Sequence, residues 1–466
     1  MVTVIYYIVD RKGDKQLENV LEKKYGLLTA IAMVIGIVIG SGVFFKAEKI
    51  LVATGGNLPL GILAWVIGGI IMVVCAYVFA IMATRYEKVN GLVDYAEVAL
   101  GSKYGYFVGW FMATIYYPTL TSVLAWVSAR YACVLLGWNI TGGEAMSISG
   151  FFLIASYALN ALSPKLAGKF QVSTTVIKII PLVLMALFGT IVGLKNGILI
   201  SNFTSGPIAK VTTSNPLFTA VVATAFAYEG WIIATSINAE LKNAKKNLPI
   251  ALTFGTIFVV LLYILYYTGL AGAVSNSVMM KGGEQGAKLA FATVFSNAGG
   301  VVLFVFVVIS CLGTLNGLML GCTRGLYSLA ARNMGPKPEV LKSIDPNTNM
   351  PTNSSIFGLL LSAAWLLYFF GANLVPVSWF GPFSFDSSEL PIVTIYAMYI
   401  PIFVMMMAKE KSLGFFKRFF MPSLAVLACI FMVIAACYAH SKEIPYYLII
   451  FAVIMVIGMI VNKKEK

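Results

Sequence analysis

Charge is what this sequence has least of. Asp, Glu, Lys and Arg make up 11% of 466 residues, less than half the ~25% usual in soluble domains. Hydrophobic residues make up 59%, and the mean hydropathy is +0.87. So few charges cannot cover a water-facing surface, which excludes the roughly three soluble domains that the length alone suggests. Histidine occurs once, at His440. A histidine-based metal centre, a haem site or a Ser–His–Asp triad in a membrane core is thereby excluded. There is no HExxH motif, no GxSxG elbow and no pair of intramembrane carboxylates one turn apart, so an intramembrane enzyme is not expected. Charge rings and a repeated filter motif are also missing, which speaks against an ion channel. The six cysteines, Cys75, Cys133, Cys311, Cys322, Cys429 and Cys437, form no CxxC pair. They read as small core hydrophobes. Neither metal nor cofactor is expected.

What the chain has is length of apolar run. A membrane span needs about 20 mainly apolar residues. Twelve segments qualify: 27–50, 58–83, 104–136, 147–163, 170–194, 216–239, 250–273, 298–323, 354–370, 389–408, 420–438 and 444–462. They are called spans 1 to 12. Residues 2–9 are apolar but too short to span, and no basic stretch precedes them. No cleaved signal peptide is expected, and span 1 serves as the internal signal. An even number of spans puts both termini on one side. On that side lie 24 of the 33 Lys and Arg, against 5 on the other, with Lys46, Lys49, Arg130 and Lys178 inside spans. This asymmetry predicts cytoplasmic termini and accounts for the +14 formal charge without a nucleic-acid partner. The outer loop 274–297 mixes Gly, Lys, Glu and apolar residues and is a candidate for a short amphipathic helix. Asn139-Ile-Thr141 and Asn202-Phe-Thr204 are sequons on outer loops, of consequence only in a eukaryotic secretory pathway.

Two spans carry interruptions. Gly40-Ser41-Gly42 sits near the middle of span 1. Glycine costs about 1 kcal/mol relative to alanine inside a helix. The triplet reads equally well as a break or as a small-residue packing face with Gly36. In span 6, Glu229 lies at mid-membrane with Gly230 after it. A carboxylate there costs roughly 2.5–3.5 kcal/mol on insertion scales, so it faces a polar cavity or serves as an interhelical strut. Interrupted segments at corresponding places in two halves point to an inverted-repeat transporter. Spans 1–5 and 6–10 are those halves. An unwound helix offers N–H groups to a carboxylate and carbonyls to an ammonium. An α-amino acid carries both on one carbon, so the pair of breaks suits a zwitterion better than a sugar or a bare anion. Lys178 in span 5 either snorkels to the interface or reaches the carbonyls of span 1. In the second case its ammonium stands where a coupling sodium ion would sit, predicting sodium-independent transport. Tyr116, Tyr117, Pro118, Thr119 and Thr121 in span 3 are weaker candidates, better read as helix packing. Arg130 is expected at the outer interface, and the run Arg324 to Arg332 as a cytoplasmic anchor. Pro181, Pro391 and Pro401 are read as helix kinks.

Several motifs resemble a known family. Gly36-Ile-Val-Ile-Gly-Ser-Gly-Val-Phe44 resembles the first-helix signature of the amino acid–polyamine–organocation superfamily. Phe226-Ala-Tyr-Glu-Gly-Trp231 resembles the sixth-helix signature of its L-type branch. Glu240-Leu-Lys-Asn-Ala-Lys-Lys-Asn-Leu-Pro249 is similar to the motif that follows that helix. Gly325-Leu-Tyr-Ser-Leu-Ala-Ala-Arg-Asn-Met-Gly335, with Met350-Pro-Thr-Asn353, is similar to the family's eighth-to-ninth-helix loop. The resemblance covers about residues 25–460 and is nearest to bacterial exchangers of serine, threonine and small neutral amino acids.

It implies an all-α membrane protein of 12 helices, a LeuT-like 5+5 inverted repeat with two added helices, in which helices 1 and 6 are unwound. The implied organisation is a cytoplasmic segment 1–26, a ten-helix transport core 27–408 with repeats 27–194 and 216–408, helices 11–12 in 409–462, and a tail 463–466. It implies a substrate site of Val38, Ile39, Gly40, Ser41, Gly42, Val43, Phe226, Ala227, Tyr228, Glu229 and Gly230. The carboxylate would bind around Ser41, Gly42 and Val43, and the α-ammonium near Val38, Ile39, Phe226, Ala227 and Glu229. Lys178 would contact unwound helix 1, and Trp231 would belong to a gate. Many L-type members have glycine where this chain has Glu229. That substitution favours small or hydroxylated side chains in one reading, and proton coupling in another. Animal members bind a heavy chain through a cysteine between helices 3 and 4, but residues 138–147 contain none. The expectation is therefore a monomeric, sodium-independent amino acid transporter of the plasma membrane, in family terms an exchanger, with its lipid bilayer and its amino acid as sole partners.

Overall fold

The computed structural model describes residues 7–9, 15–17, 26–86, 91–211 and 215–462. Twelve helical segments are long and apolar enough to cross a membrane. They fall on the twelve expected spans, with several extended by a turn or more. Span 5 begins at Pro164 rather than residue 170, and span 8 runs from Gln285 to Ala330. Span 8 is bent at Ser296, whose φ is +64°. The segment before that bend, together with a short helix Asn276–Gly282, supplies the helical structure expected in loop 274–297. Outside the all-helical pattern, strands β1 (Tyr7–Val9) and β2 (Lys15–Leu17) pair antiparallel, with Tyr7 opposite Leu17.

Local sequence starts the helices. Asn57 accepts from Leu60 N–H at 3.1 Å ahead of span 2, and Asn215 accepts from Phe218 N–H at 3.2 Å ahead of span 6. Each also has a proline in the first two helical positions, where its missing N–H costs nothing. Such a cap stabilises a helix start by about 1 kcal/mol. Span 3 contains a π-turn over Met112–Tyr116, and its loosened carbonyl at Thr114 accepts from Trp365 Nε1 of span 9 at 2.9 Å.

Spans 1, 2, 3 and 6 are the most buried, and span 12 the least. The broken helices therefore occupy the centre of the bundle, and the two added helices sit towards its rim. Span 1 is in two pieces, 1a (Leu27–Val38) and 1b (Gly42–Ala53). Span 6 is also in two, 6a (Pro216–Ala227) and 6b (Trp231–Glu240), the second wound as a 3₁₀ helix. Ten residues is long for that geometry, which normally runs three or four and marks strained or hinged segments.

At the face shared by the chain ends, Arg332 pairs with Asp94 on the helix Gly91–Leu100, and Arg85 with Glu410 at 3.2 Å. Arg332 thus pins two elements together rather than merely anchoring the chain at the interface. On the opposite face Asn202 is buried, its Nδ2 donating to Ala271 O at 2.6 Å and Val274 O at 2.9 Å. The sequon at 202 is consequently closed to modification once folded. Cys75 and Cys429 meet at 3.7 Å between spans 2 and 11.

Candidate functional site

In span 1 the last helical bond before the break runs from Ile39 N–H to Ile35 O, at 2.8 Å. Ile39 then turns extended (ψ 102°), and 1b restarts at Gly42. In span 6 the closing bond is Tyr228 N–H to Thr224 O at 3.0 Å. Gly230 reverses the chain with φ +103°, a conformation that side-chain-bearing residues rarely adopt. The two breaks touch. A Cβ at Gly42 would lie 2.4 Å from Ala227 Cα, so only glycine lets the half-helices approach this closely.

Three side chains hold the frayed end of 1a. Lys178 Nζ, wholly buried, donates to Gly36 O and to Thr314 Oγ1, the latter at 2.8 Å. Thr314 in span 8 donates in turn to Ile39 O at 3.0 Å. Tyr263 in span 7 donates to Val38 O at 2.9 Å. Lys178 lies 14 residues into span 5, about 21 Å along the helix at 1.5 Å per residue, too deep to snorkel to the near interface. Its role in span 1 was readable from sequence; those of Tyr263 and Thr314 were not. Each is a lone polar group on an apolar helix, and only packing brings it to the break.

Between the breaks lies a cavity of about 30 Å³, room for roughly two waters. Its polar wall is Ser41, Glu229 and Thr314; its apolar wall includes Leu120 and Leu124 of span 3, Leu318 of span 8, and Phe226. Two buried oxygens on this wall, Ser41 Oγ and Glu229 Oε2, have no hydrogen-bond partner. The other carboxylate oxygen of Glu229 accepts from Tyr116, presented by the π-turn of span 3. Tyr116 therefore does more than pack between helices. A buried oxygen without a donor costs about 1–3 kcal/mol, and here both belong to residues that line the space a ligand would fill. The start of 1b adds N–H groups that have no helical acceptor, a setting that favours anions.

Of the expected residues, Val38, Gly40, Ser41, Gly42, Phe226, Glu229 and Gly230 line this cavity, with Ile37 alongside. Ile39 and Val43 flank the break in span 1, and Ala227 lies at the contact with Gly42. Tyr228 points away from it: its hydroxyl donates to Trp65 O at 3.0 Å and its ring stacks on Tyr263. Trp231 is fully buried behind the break, near Phe79 and Tyr399.

A second polar cluster meets 1b one turn after its start, at Lys46, on the side of the bundle opposite the chain ends. Lys46 Nζ is 2.5 Å from Glu389 Oε1 and 5.2 Å from the centre of the Phe226 ring. His440 Nε2 is 2.8 Å from Glu389 Oε2. Nothing in the local sequence pairs these three residues, which come from span 1, the start of span 10 and the loop between spans 11 and 12.

The family model for amino acid permeases matches residues 25–460. The chain belongs to the amino acid permease family. The serine/threonine exchanger SteT of Bacillus subtilis (strain 168) is 28% identical over 422 residues, covering 89% of this chain and 91% of SteT. The b(0,+)-type amino acid transporter 1 of Mus musculus is 23% identical over 433 residues, covering 92% and 86%. Among solved structures, MhsT in complex with L-phenylalanine aligns with a TM-score of 0.56 at 13% identity, over 91% of this chain and 99% of that one. At that identity the likeness speaks for the fold alone, and the fold is the LeuT-like one that the family resemblance implied. The permease is thus a multi-pass membrane transporter of amino acids and not an enzyme.

Proposed function

We propose that this permease moves α-amino acids across the plasma membrane by alternating access, without sodium, and exchanges small neutral or hydroxylated ones. One observation carries the reading: two partnerless buried oxygens belong to Ser41 and Glu229, which line one small cavity between two broken helices. The substrate carboxylate binds the N–H groups of Ser41, Gly42 and Val43 at the start of 1b. Its ammonium binds carbonyls at the ends of 1a and 6a, around Val38, Ile39, Phe226 and Ala227. Glu229 Oε2 accepts from a short side-chain hydroxyl, and the leucines of spans 3 and 8 limit side-chain size. The Lys178 amine stands beside the break, donating to Gly36 O and Thr314 Oγ1, which supports sodium independence. Trp231 and Tyr228 steady the hinge of 6b.

Both termini face the cytoplasm in this reading, following the distribution of Lys and Arg. The permease works as a monomer without a disulfide-linked heavy chain, in keeping with Cys133 being buried in span 3. A second reading, proton symport, draws on the two buried ionisable groups Glu229 and Lys178. Accumulation in liposomes under an inward proton gradient, with no amino acid inside, distinguishes it. Exchange predicts none, and symport predicts uptake against the gradient. Competition of labelled serine uptake by serine, alanine, leucine, phenylalanine and glutamate tests the substrate class. Serine and alanine are expected to compete best, and stronger competition by phenylalanine would overturn the assignment.

A further inference from the structure

The cluster at Lys46 has an asymmetry that bears on opening. Glu389 is buried and divides its two oxygens between two cations. Oε1 meets Lys46 of 1b, and Oε2 meets His440 of the loop between spans 11 and 12. Lys46 also donates to Ser388 Oγ at 3.3 Å. Asp386 accepts from Ser388 N–H at 2.7 Å, and Glu443 lies 3.3 Å from His440 Nδ1. Glu48 and Lys49 on 1b and Tyr368 on span 9 are further charged and titratable groups around it. Lys46 also overlies the ring of Phe226, which lines the cavity, so its link to Glu389 is one side chain away from that space.

Opening this end, under the alternating-access reading above, draws 1b away from span 10 and takes Lys46 with it. A carboxylate left alone in a buried site must be countercharged or protonated, because its desolvation is otherwise uncompensated. We propose that His440 is a positioning residue of the transport cycle: it keeps Glu389 charged and aimed, so that Lys46 can leave and return without stranding a buried anion. His440 suits the task because it comes from a different element and does not travel with 1b.

The electrostatics agree with the geometry. Burial opposes the charge on His440, but Glu389 and Glu443 outweigh it and raise the imidazole to about 10. Glu389 in turn sits between Lys46 at 2.5 Å and His440 at 2.8 Å. A histidine raised in this way contributes fully below its ordinary value of about 6.5 and loses its contribution as pH rises through about 10. His440 therefore remains charged across the physiological range.

The test is the initial rate of exchange at external pH between about 6 and about 8, for the parent, His440→Gln and His440→Arg. The parent rate should be flat over that interval. His440→Gln should fall about tenfold at pH 8 and recover towards pH 6, where protonation of Glu389 releases Lys46. His440→Arg keeps the charge and should restore most of the rate at pH 8. Substrate affinity should stay within about twofold throughout, since His440 touches no atom of the cavity. A His440→Gln protein as fast as the parent at pH 8 overturns the proposal, as does a His440→Arg protein no faster than His440→Gln. A transport-independent measurement is also at hand, because the chain has one histidine. The ¹⁵N signals of labelled His440 should report a protonated ring at pH 8 in the parent, and a lower pKa in Glu389→Gln. A neutral ring at pH 8 in the parent overturns the proposal whatever the protein transports.

Discussion

At the scale of single residues, Glu229 and Lys178 concentrate the chemistry. Glu229 lines the cavity, spends one oxygen on Tyr116 and leaves the other without a hydrogen-bond partner. Glu229→Gly should lower the preference for serine over leucine about tenfold, equivalent to about 1.4 kcal/mol. Glu229→Gln retains an acceptor oxygen and should keep much of that preference. Competition by the two amino acids in each variant measures this, and an unchanged ranking in both would reduce Glu229 to an interhelical strut. Lys178→Ala should slow transport at least tenfold, because it leaves Gly36 O and Thr314 Oγ1 without their donor. Thr314→Ser should transport like the parent and Thr314→Val should not, since only serine can both accept from Lys178 and donate to Ile39 O. Equal rates for the two Thr314 variants would remove the hydroxyl from the account.

At the scale of elements, the two breaks have different causes. Span 1 breaks because Gly42 must let 1b meet 6a, where a side chain would strike Ala227. Gly42→Val should abolish serine binding while the protein still inserts and folds into the membrane. Binding retained within about threefold, or about 0.7 kcal/mol, would show that the approach is not needed. Span 6 breaks because Gly230 takes a positive φ, and Gly230→Ala should cost about 1–3 kcal/mol of strain. A thermal melt of the purified protein, parent against variant, reads that cost directly, and an unshifted melt would contradict it. Both breaks were legible in sequence because glycine and an intramembrane carboxylate are local signals. Lys178 was legible for the same reason. Tyr263, Thr314 and Tyr116 were not, because a tyrosine or threonine on an apolar helix looks the same whether it binds its own helix or a neighbour. Thr119 and Thr121 illustrate this: each donates to its own helix one turn back, at 2.8 Å and 2.7 Å. The cluster of Lys46, Glu389 and His440 was hidden for another reason. Lys46 lies 343 residues from Glu389 and His440 lies 51 from it, and each alone looks like an ordinary polar group near the membrane surface.

At the scale of the molecule, the arrangement of spans explains why so few polar groups suffice. The most buried helices are the broken ones and their neighbours, while spans 11 and 12 give most of their surface to lipid. Polar side chains are thereby gathered where helix ends need them, and the bilayer meets apolar residues. The positions of the twelve spans followed from hydropathy alone. Their packing did not, because a lipid-facing stripe and a protein-facing stripe have nearly the same composition. The central claim is that broken helices held by a lysine bind and exchange amino acids with no sodium ion. Counterflow tests it most directly: labelled serine outside, unlabelled serine inside proteoliposomes, and choline in place of sodium on both sides. The account predicts initial uptake equal, within error, to that measured in sodium. A many-fold fall on removing sodium, or no uptake with serine loaded inside, would contradict it.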